Sequence, residues 1–175
     1  MKKIFLIGYM GAGKTTIGKR LAKKLGLQFI DMDRFIENRY RKTIREIFEE
    51  KGETFFREIE SKTLQEVAQF EGTVISTGGG APCFFDNMEL MNRSGITVYL
   101  KVPVHVLLER LSSGKQERPL VQEKSKEELQ RFIAENLDKR ENWYNRASII
   151  YSTEEEITPE NRNAMVEELT KRINE

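Results

Sequence analysis

The sequence has almost none of the features that mark an exported or membrane protein. Its 175 residues include one cysteine, Cys83, which excludes an internal disulfide and a cysteine metal cluster and suits a reducing cytosol. No stretch approaches the roughly 18 apolar residues of a transmembrane helix. The apolar run IFLI near the start is four residues long, whereas the core of a signal peptide has about 7–15. We therefore expect a cytoplasmic protein.

A large excess of charge is also missing. The chain carries 29 basic and 28 acidic residues, so nothing marks its whole surface as a binder of nucleic acid or anionic membranes, and the expected partner is a small molecule. No linker or repeat divides the chain, and we predict one domain over residues 1–175. Because no long apolar stripe is left without a role, we expect a monomer. The single histidine, His105, is interpreted as structural, and Cys83 as a small buried apolar residue.

Strand-like and helix-like patterns alternate along the chain, which predicts an α/β fold with a mainly parallel sheet. Five short apolar segments have the composition of strands that are covered on both faces. They are Ile4–Ile7, Gln28–Ile30, Thr73–Ser76, Ile96–Val102 and Ser148–Tyr151.

Several helix ends can also be recognised. A capping box, an N-cap before a proline and two helix-ending glycines occur at Thr43 with Glu46, at Thr158 with Pro159, and at Gly26 and Gly95. Residues 125–146 read as one long charged amphipathic helix. The segment before it, SSGKQERPLVQEKS at 112–125, has no apolar period and contains Gly114 and Pro119, which indicates a mobile surface loop.

The first predicted strand runs into GYMGAGKT, residues 8–15, which matches the pattern GxxxxGK(S/T). In this pattern, backbone N–H groups close around phosphate oxygens, the lysine reaches the outer phosphates and the hydroxyl ligates magnesium. The helix that begins near Lys14 adds the positive end of its dipole. The alternative is a glycine turn with an incidental lysine. We predict ATP and Mg²⁺ as ligands, held by Gly11, Ala12, Gly13, Lys14, Thr15 and Thr16.

A phosphate-binding loop does not identify the acceptor, which should bind at the carboxyl ends of the neighbouring strands. The second predicted strand ends in Asp31-Met32-Asp33, and the third in a glycine triplet, Gly78, Gly79 and Gly80. On an extended segment, we expect one of these aspartates to face a metal and the other to face an acceptor. The alternatives are that the aspartates cap a helix that begins near Arg34, and that the glycines form a tight turn.

Four arginines are further candidates for binding anions. Arg57 lies among phenylalanines and three residues before Glu60, while Arg140 precedes Trp143 and Tyr144. An arginine among aromatic residues is suited to bidentate capture of a carboxylate or phosphate. Arg118 lies in the predicted loop and Arg110 at the end of the helix before it. Arg118 can cover the phosphates, and its alternative is a solvated loop arginine. Arg110 can stack on an adenine or cap a helix. For Arg57 and Arg140 the alternative is an ordinary surface role.

Taken together, these residues resemble the shikimate kinase family. The strings GYMGAGKT, DMD, FFR, TGGG, RPL and RENWY occur in that family's order and approximate spacing, from residue 1 to about 151. The resemblance implies a three-layer P-loop kinase fold, with a five-stranded parallel sheet of order 2-3-1-4-5 flanked by helices and a mobile lid. It also implies ATP-dependent phosphorylation of the 3-hydroxyl of shikimate in aromatic amino-acid biosynthesis. The sequence departs at Asn142, where family members often have proline.

The resemblance also implies a role for each matching position. Lys14, Asp33 and Arg118 would be catalytic, with Asp33 positioning or deprotonating the hydroxyl, and Thr15 and Asp31 would serve the metal, Asp31 through water. Substrate contacts would come from Asp33, Arg57, Gly78, Gly79, Gly80 and Arg140, with Phe48 and Phe56 as walls and Glu60 steadying Arg57. Arg110 would stack on adenine. The substrate-binding region would span about 33–60 and the lid about 112–125.

Three other functions fit parts of the same pattern. A kinase for gluconate or a nucleoside monophosphate shares the loop, but a nucleotide acceptor calls for more arginines in the lid than Arg118. A non-catalytic module that binds nucleotide or shikimate would be favoured by loss of Lys14, Asp33 or Arg118, and all three are present. A nucleic-acid-remodelling ATPase is disfavoured by one short domain and balanced charge.

Overall fold

The computed structural model describes residues 1–113 and 124–175. Five parallel strands form one sheet of order β2-β3-β1-β4-β5, as the family resemblance implied. Each strand lies within one residue of its predicted bounds at either end. The strands are β1 Lys3–Ile7, β2 Gln28–Asp31, β3 Thr73–Ser76, β4 Ile96–Lys101 and β5 Ile149–Ser152.

Helices cover the sheet and follow the strands in alternation. In the described residues they are α1 Lys14–Leu25, α2 Met32–Tyr40, α3 Ile44–Val67, α4 Asn87–Ser94, α5 Val104–Ser113, α6 Lys126–Tyr144 and α7 Pro159–Asn174, with a 3₁₀ turn at Ala81–Cys83. The predicted capping box of Thr43 and Glu46 is confirmed, and Thr158 caps α7. Helix α3 is broken at Gly52, where φ is 84° and ψ is 172°, so the segment after this glycine is a separate helical piece.

The middle of the sheet forms the centre of the core. All of β1 after Lys3 is fully buried, and β1 pairs with β3 on one side and β4 on the other. Helix α1 approaches this layer closely at Gly18, where an added methyl group would lie 2.5 Å from the Phe29 ring and 2.9 Å from Leu6. Because the strands are parallel, their carboxyl ends share one edge, and β1, β2 and β3 bring three predicted site segments to it.

The remaining sequence predictions concern the lid and the membrane. Most of the segment predicted as a mobile lid, including Gly114, Arg118 and Pro119, lies outside the described residues. At its borders, α5 ends at Ser113, and Ser125 begins α6 through a capping box with Glu128. Across the described ranges, no helix has both the length and the apolar character needed to cross a bilayer.

Candidate active site

The loop between β1 and α1 has a backbone shape that depends on its glycines. Gly8, Gly11 and Gly13 have φ angles of 148°, 81° and 94°, in the region that L-residues rarely adopt. At Gly8 a methyl group would also lie only 2.9 Å from the carbonyl oxygen of Leu100 on β4. The loop ends at the first turn of α1. That turn contains no acidic residue to offset the positive end of the helix dipole. This is the geometry of an anion-binding loop.

Lys14 is the first residue of α1 and turns back into the loop. Its Nζ donates hydrogen bonds to the carbonyl oxygens of Gly8, at 2.7 Å, and Tyr9, at 3.0 Å. The side chain is buried, so the ammonium group is held within the loop rather than in solvent. The neighbours of Lys14 differ in exposure. Thr15 and Thr16, which follow it, are exposed, while Ala12, which precedes it, packs in the core.

Asp31 connects the end of β2 to this loop. Its Oδ2 accepts a hydrogen bond from Thr15 Oγ1 at 3.2 Å, and its Oδ1 accepts one from the backbone N–H of Arg34 at 3.2 Å. Asp31 is thus both a helix cap and a neighbour of the phosphate-binding loop, so the two interpretations of this residue are compatible. The expectation of an extended Asp31–Asp33 segment is wrong, because the N-cap lets α2 begin at Met32 and places Asp33 in its first turn.

The glycine triplet after β3 brings the other predicted side chains together. A methyl group at Gly78 would lie 2.9 Å from Glu60 Oε2 and 3.2 Å from Asp33 Oδ1. One at Gly80 would lie 2.6 Å from Arg57 Nη2. Each close approach requires the absence of a side chain at that position. The triplet is therefore lined by two carboxyl groups at one end and a guanidinium group at the other.

Gly79, in the middle of the triplet, adjoins both Arg140 and the phosphate-binding loop. A methyl group there would lie 3.3 Å from Arg140 Nη1 and 3.4 Å from both the Gly8 carbonyl oxygen and the Met10 backbone nitrogen. The buried Tyr144 hydroxyl donates a hydrogen bond to the Gly79 carbonyl oxygen. The triplet therefore forms a wall shared by the loop and the two arginines.

Arg57 is held on several sides. Its Nη1 donates to Glu60 Oε1 at 2.9 Å and its Nε to Glu53 Oε1 at 3.3 Å. Its guanidinium carbon also lies 5.3 Å from the centre of the Phe56 ring and 5.9 Å from that of Phe48. Phe48 and Phe56, the predicted pocket walls, pack against each other with their ring centres 4.7 Å apart. This arrangement fixes a cation beside the triplet, with charged partners on one edge and aromatic rings around it.

Arg140 reaches the triplet from α6. Its guanidinium carbon lies 5.3 Å from the centre of the Tyr9 ring, which belongs to the phosphate-binding loop. Helix α6 continues without a break through Asn142 to Tyr144, so the residue that replaces the usual proline leaves the helix regular here. Arg57 and Arg140 are 83 positions apart in sequence, and the fold brings both against consecutive positions of one glycine triplet.

The two carboxyl groups near Gly78 both have raised pKa values. For Asp33, burial is the main cause and the neighbouring Asp31 carboxylate adds to it, while Lys14 opposes the shift. Burial raises the pKa of Glu60 from its ordinary value of 4.5 to about 7, although the Arg57 guanidinium opposes the change. A carboxyl group whose pKa is moved towards neutrality can exchange a proton at physiological pH. Glu60 can therefore exchange a proton near neutral pH, and Asp33 keeps its proton to a higher pH than an exposed aspartate does.

The raised pKa of Glu60 predicts a specific dependence of stability on pH. Between pH 4.5 and 7 the unfolded chain releases this proton while the folded protein keeps it, so the free energy of unfolding falls as pH rises. We expect Glu60→Gln to remove this fall, which amounts to about 3 kcal/mol at full extent. Urea unfolding of both proteins at pH 4.5 and 8 measures the difference.

A matched control for this prediction is Glu66→Gln. Glu66 also pairs with an arginine, Arg39, but the pair is exposed, and solvent screens such pairs strongly. We expect the Glu66 variant to leave the pH dependence close to that of the wild type. Parallel stability curves for Glu60→Gln and the wild type would show that the Glu60 carboxyl ionises normally in the folded protein.

The other predicted residues lie at varying distances from this centre. Arg110 donates from Nη1 to the Gly11 carbonyl oxygen at 2.7 Å. This hydrogen bond supports the phosphate-binding loop and is not the helix cap that was considered as the alternative. The Nη2 of Arg110 is buried and has no hydrogen-bond partner within the described ranges.

His105 is exposed on α5. Cys83 is half-buried, and burial raises its pKa to about 11, which keeps the thiol protonated at neutral pH. Arg118 lies outside the described residues.

Sequence reasoning missed three contacts of the site. Glu53 and Phe84 touch Arg57, and the ring of Tyr9 lies under Arg140. Glu53 is four residues before Arg57, a spacing that brings two side chains together on a helix, so this contact was recognisable. Tyr9 lies at an unspecified position of the loop pattern, and Phe84 comes from a separate element; their contacts therefore depend on the folded chain.

The sheet order, the loop after β1 and the strand-end site define a P-loop kinase. The shikimate kinase family model matches residues 10–174, and the chain belongs to this family.

Individual relatives agree with this assignment. The shikimate kinase of Parabacteroides distasonis is 60% identical over 158 residues, which cover 90% of this chain and 91% of that protein. The crystal structure of shikimate kinase from Bacteroides thetaiotaomicron superposes with a TM-score of 0.96 at 50% identity, covering 99% of both chains. The shikimate kinase of Acinetobacter baumannii, solved in complex with shikimate, has a TM-score of 0.83 at 35% identity and covers 98% of this chain and 94% of its own.

Proposed function

We propose that this chain transfers the terminal phosphoryl group of ATP to the 3-hydroxyl of shikimate, giving shikimate 3-phosphate and ADP in aromatic amino-acid biosynthesis. One observation carries the proposal. Two arginines from different helices and a carboxyl group from a third face consecutive glycines, Gly78–Gly80, and the middle glycine also adjoins the phosphate-binding loop. A small acid that carries a hydroxyl group can bind the arginines through its carboxylate and the carboxyl group through its hydroxyl. Membership of the shikimate kinase family identifies that acid.

Arg57 and Arg140 are proposed to bind the acceptor's carboxylate. Their guanidinium groups border Gly80 and Gly79, and guanidinium groups bind carboxylates with paired, charge-assisted hydrogen bonds. Glu60 accepts a hydrogen bond from Arg57 and so keeps its Nη1 edge occupied. The Nη2 edge, beside Gly80, remains directed at the triplet. The backbone of Gly78, Gly79 and Gly80 would complete the pocket, with Phe48 and Phe56 as its walls.

Asp33 is proposed to orient the acceptor hydroxyl and to accept its proton. Its carboxyl oxygen lies beside Gly78, at the opposite end of the triplet from Arg57. The raised pKa, caused by burial and by Asp31, makes this carboxylate a better proton acceptor than an exposed aspartate. The Asp33 carboxyl group is also close enough to Lys14 of the loop for the two charges to interact. Phosphoryl transfer requires this placement of the nucleophile more than it requires a strong base.

The nucleotide is proposed to bind along Gly11–Thr16, with backbone N–H groups and Lys14 facing its phosphates. Thr15 Oγ1 and Asp31 Oδ2 are 3.2 Å apart, close to the spacing of neighbouring oxygen ligands of Mg²⁺, about 3 Å for bonds of about 2.1 Å at right angles. These oxygens therefore fit one ion, directly or through water. ATP bound there would supply the phosphoryl group, and Mg²⁺ would neutralise part of the charge of its phosphates. Arg110 would stack on the adenine.

Arg118 is proposed to complete the charge around the transferred phosphoryl group from a lid at about 112–125. The substrate-binding region would span about 33–60. We further propose that residues 1–175 form one kinase domain that works as a monomer in the cytoplasm. Balanced overall charge and a small-molecule site support this organisation.

The direct test is ADP release from magnesium-ATP with shikimate, gluconate, a nucleoside monophosphate or no acceptor. Release that depends on shikimate alone is the expected result. Release with gluconate or a nucleoside monophosphate in place of shikimate would assign a different acceptor to the same fold. ATP binding without release for any acceptor would instead indicate a non-catalytic binding module.

A further inference from the structure

A phenylalanine outside the predicted site makes the shortest aromatic contact with Arg57. The guanidinium carbon of Arg57 lies 4.3 Å from the centre of the Phe84 ring, closer than to the rings of Phe56 and Phe48. A guanidinium group within about 6 Å of a ring centre is attracted to the face of the ring. Phe84 comes from the segment that follows the glycine triplet, whereas the other two rings lie on α3 with Arg57 itself. The triplet and its following segment therefore enclose Arg57 from the side opposite α3.

The backbone next to Phe84 has an unusual conformation. Phe85 has a φ angle of 51°, which is rare for any residue with a side chain and most unfavourable for a bulky one. Phe85 as a residue is 64% exposed, while Phe84 is half-buried against Arg57. The chain therefore makes a left-handed turn that directs one ring inwards and the next outwards. Strained backbone of this kind persists where the surrounding structure holds it, and often beside functional sites.

Buried hydrogen bonds hold this segment in place. Asn87, which is fully buried at the start of α4, donates from Nδ2 to the Ala81 carbonyl oxygen at 2.8 Å. Ser61 donates from Oγ to Asn87 Oδ1 at 2.7 Å. Ser61 directly follows Glu60, the ion-pair partner of Arg57. Residues 81–87 are thus joined to the same piece of α3 that carries Arg57.

We propose that Phe84 is a positioning residue that sets the plane of the Arg57 guanidinium for the acceptor's carboxylate. The inference rests on the proposed function, in which Arg57 binds that carboxylate. Glu60 and Glu53 occupy Nη1 and Nε of Arg57, and the guanidinium carbon lies over the ring of Phe84. These contacts leave Arg57 little freedom to rotate, with Nη2 beside Gly80. A preoriented cation binds its partner more tightly because less motion is lost on binding.

The test compares Phe84→Leu with the wild type. Leucine keeps an apolar side chain but removes the aromatic face, and we expect the KM and the Kd for shikimate to rise about 3- to 10-fold. The KM for ATP and the turnover number should stay within about two-fold of the wild type. Phe84→Tyr, which retains the ring, should restore wild-type values. Calorimetry with shikimate measures the Kd independently of turnover.

Phe85→Asn is the matched control. It removes the adjacent, exposed ring, and asparagine tolerates the left-handed conformation better than phenylalanine. We expect its KM for shikimate to match the wild type and its melting temperature to be equal or higher. A rise in KM in this variant as large as in Phe84→Leu would mean that the segment as a whole, rather than the ring of Phe84, affects binding, and would overturn the proposal.

A double-mutant cycle with Arg57→Ala separates positioning from a general effect on the fold. If Phe84 acts through Arg57, Phe84→Leu should have little further effect on the Kd once Arg57 is absent. An equal effect in both backgrounds would contradict the proposal, as would an unchanged Kd in Phe84→Leu alone. If the wild type shows no shikimate-dependent ADP release, the proposed function fails and the inference fails with it. Normal wild-type activity with an unaffected Phe84→Leu variant would overturn only the role of Phe84.

Discussion

Replacement of Asp33 by asparagine is expected to lower the turnover number by about 100-fold or more while ATP binding persists. The change conserves shape but removes the negative charge that the Asp33 carboxylate can place beside Gly78. The neighbouring Glu60 carboxyl does not replace it, because Glu60 is paired with Arg57. Steady-state kinetics with shikimate, together with calorimetry of a nonhydrolysable ATP analogue, separate the two effects.

The pH profile gives a second measurement on the same variant. In the wild type, kcat/KM should rise with pH as Asp33 loses its proton, at a pH above the ordinary range for aspartate because burial raises its pKa. This rise should be absent from Asp33→Asn. Asp138→Asn, an exposed aspartate on α6, is the control and should retain normal kinetics. Near-normal turnover in Asp33→Asn would exclude Asp33 as the base and as an essential hydroxyl ligand.

Replacement of Arg57 by alanine is expected to raise the KM for shikimate about 100-fold, with a smaller change in the turnover number and none in the KM for ATP. The variant loses a charge-assisted contact with the carboxylate, and it also leaves Glu60 buried without its cation. Because the pKa of Glu60 already lies near 7, the group can take up a proton below that pH. The variant should therefore remain folded near pH 6 and lose stability at higher pH.

Two further variants show whether geometry or charge matters at this position. Arg57→Lys keeps the positive charge without the two-pronged geometry, so we expect an intermediate KM. Arg39→Ala is the matched control, since Arg39 also makes two bonds to a glutamate, Glu66, and lies 5.0 Å from the Phe35 ring, but in an exposed pair. Its KM for shikimate should be unchanged. Equal KM values for Arg57→Ala and the wild type would place the acceptor's carboxylate elsewhere.

The sheet and the phosphate-binding loop were predictable because their signals are local. Each strand is a short apolar run between turn residues, and the loop pattern specifies Gly8 and Gly13, two of the three loop glycines that have positive φ angles. The conformation of Asp31 and Asp33 was predicted wrongly, because the tendency of aspartate to cap a helix outweighed the extension of β2. Both tendencies, strand extension and helix capping, can be recognised in the local sequence, and helix capping decided the conformation of this segment.

The acceptor side of the site depends on contacts between distant segments. The aromatic residues near Arg57 and Arg140 in the sequence made both arginines candidates for binding anions, but their convergence on one triplet follows from the packing of α3 and α6 around the sheet edge. The family resemblance supplied this pairing in advance. The contact of Phe84 with Arg57 depends on the left-handed turn at Phe85, which no pattern of the sequence signals, since phenylalanine is unfavourable there.

If Asp33 and Arg57 bind the acceptor as proposed, the glycine triplet also limits the size of the molecule that the site can use. Gly78 and Gly80 are two peptide units apart, at most about 7 Å along the backbone, and the carboxyl group of Asp33 and the guanidinium of Arg57 stand at these two ends. The distance between the reacting hydroxyl and the acid group of the acceptor must therefore suit the distance that the main chain sets between these two ends. An acid built on a single six-membered ring spans such a length, and a longer one would reach Arg57 only by withdrawing its hydroxyl from Asp33.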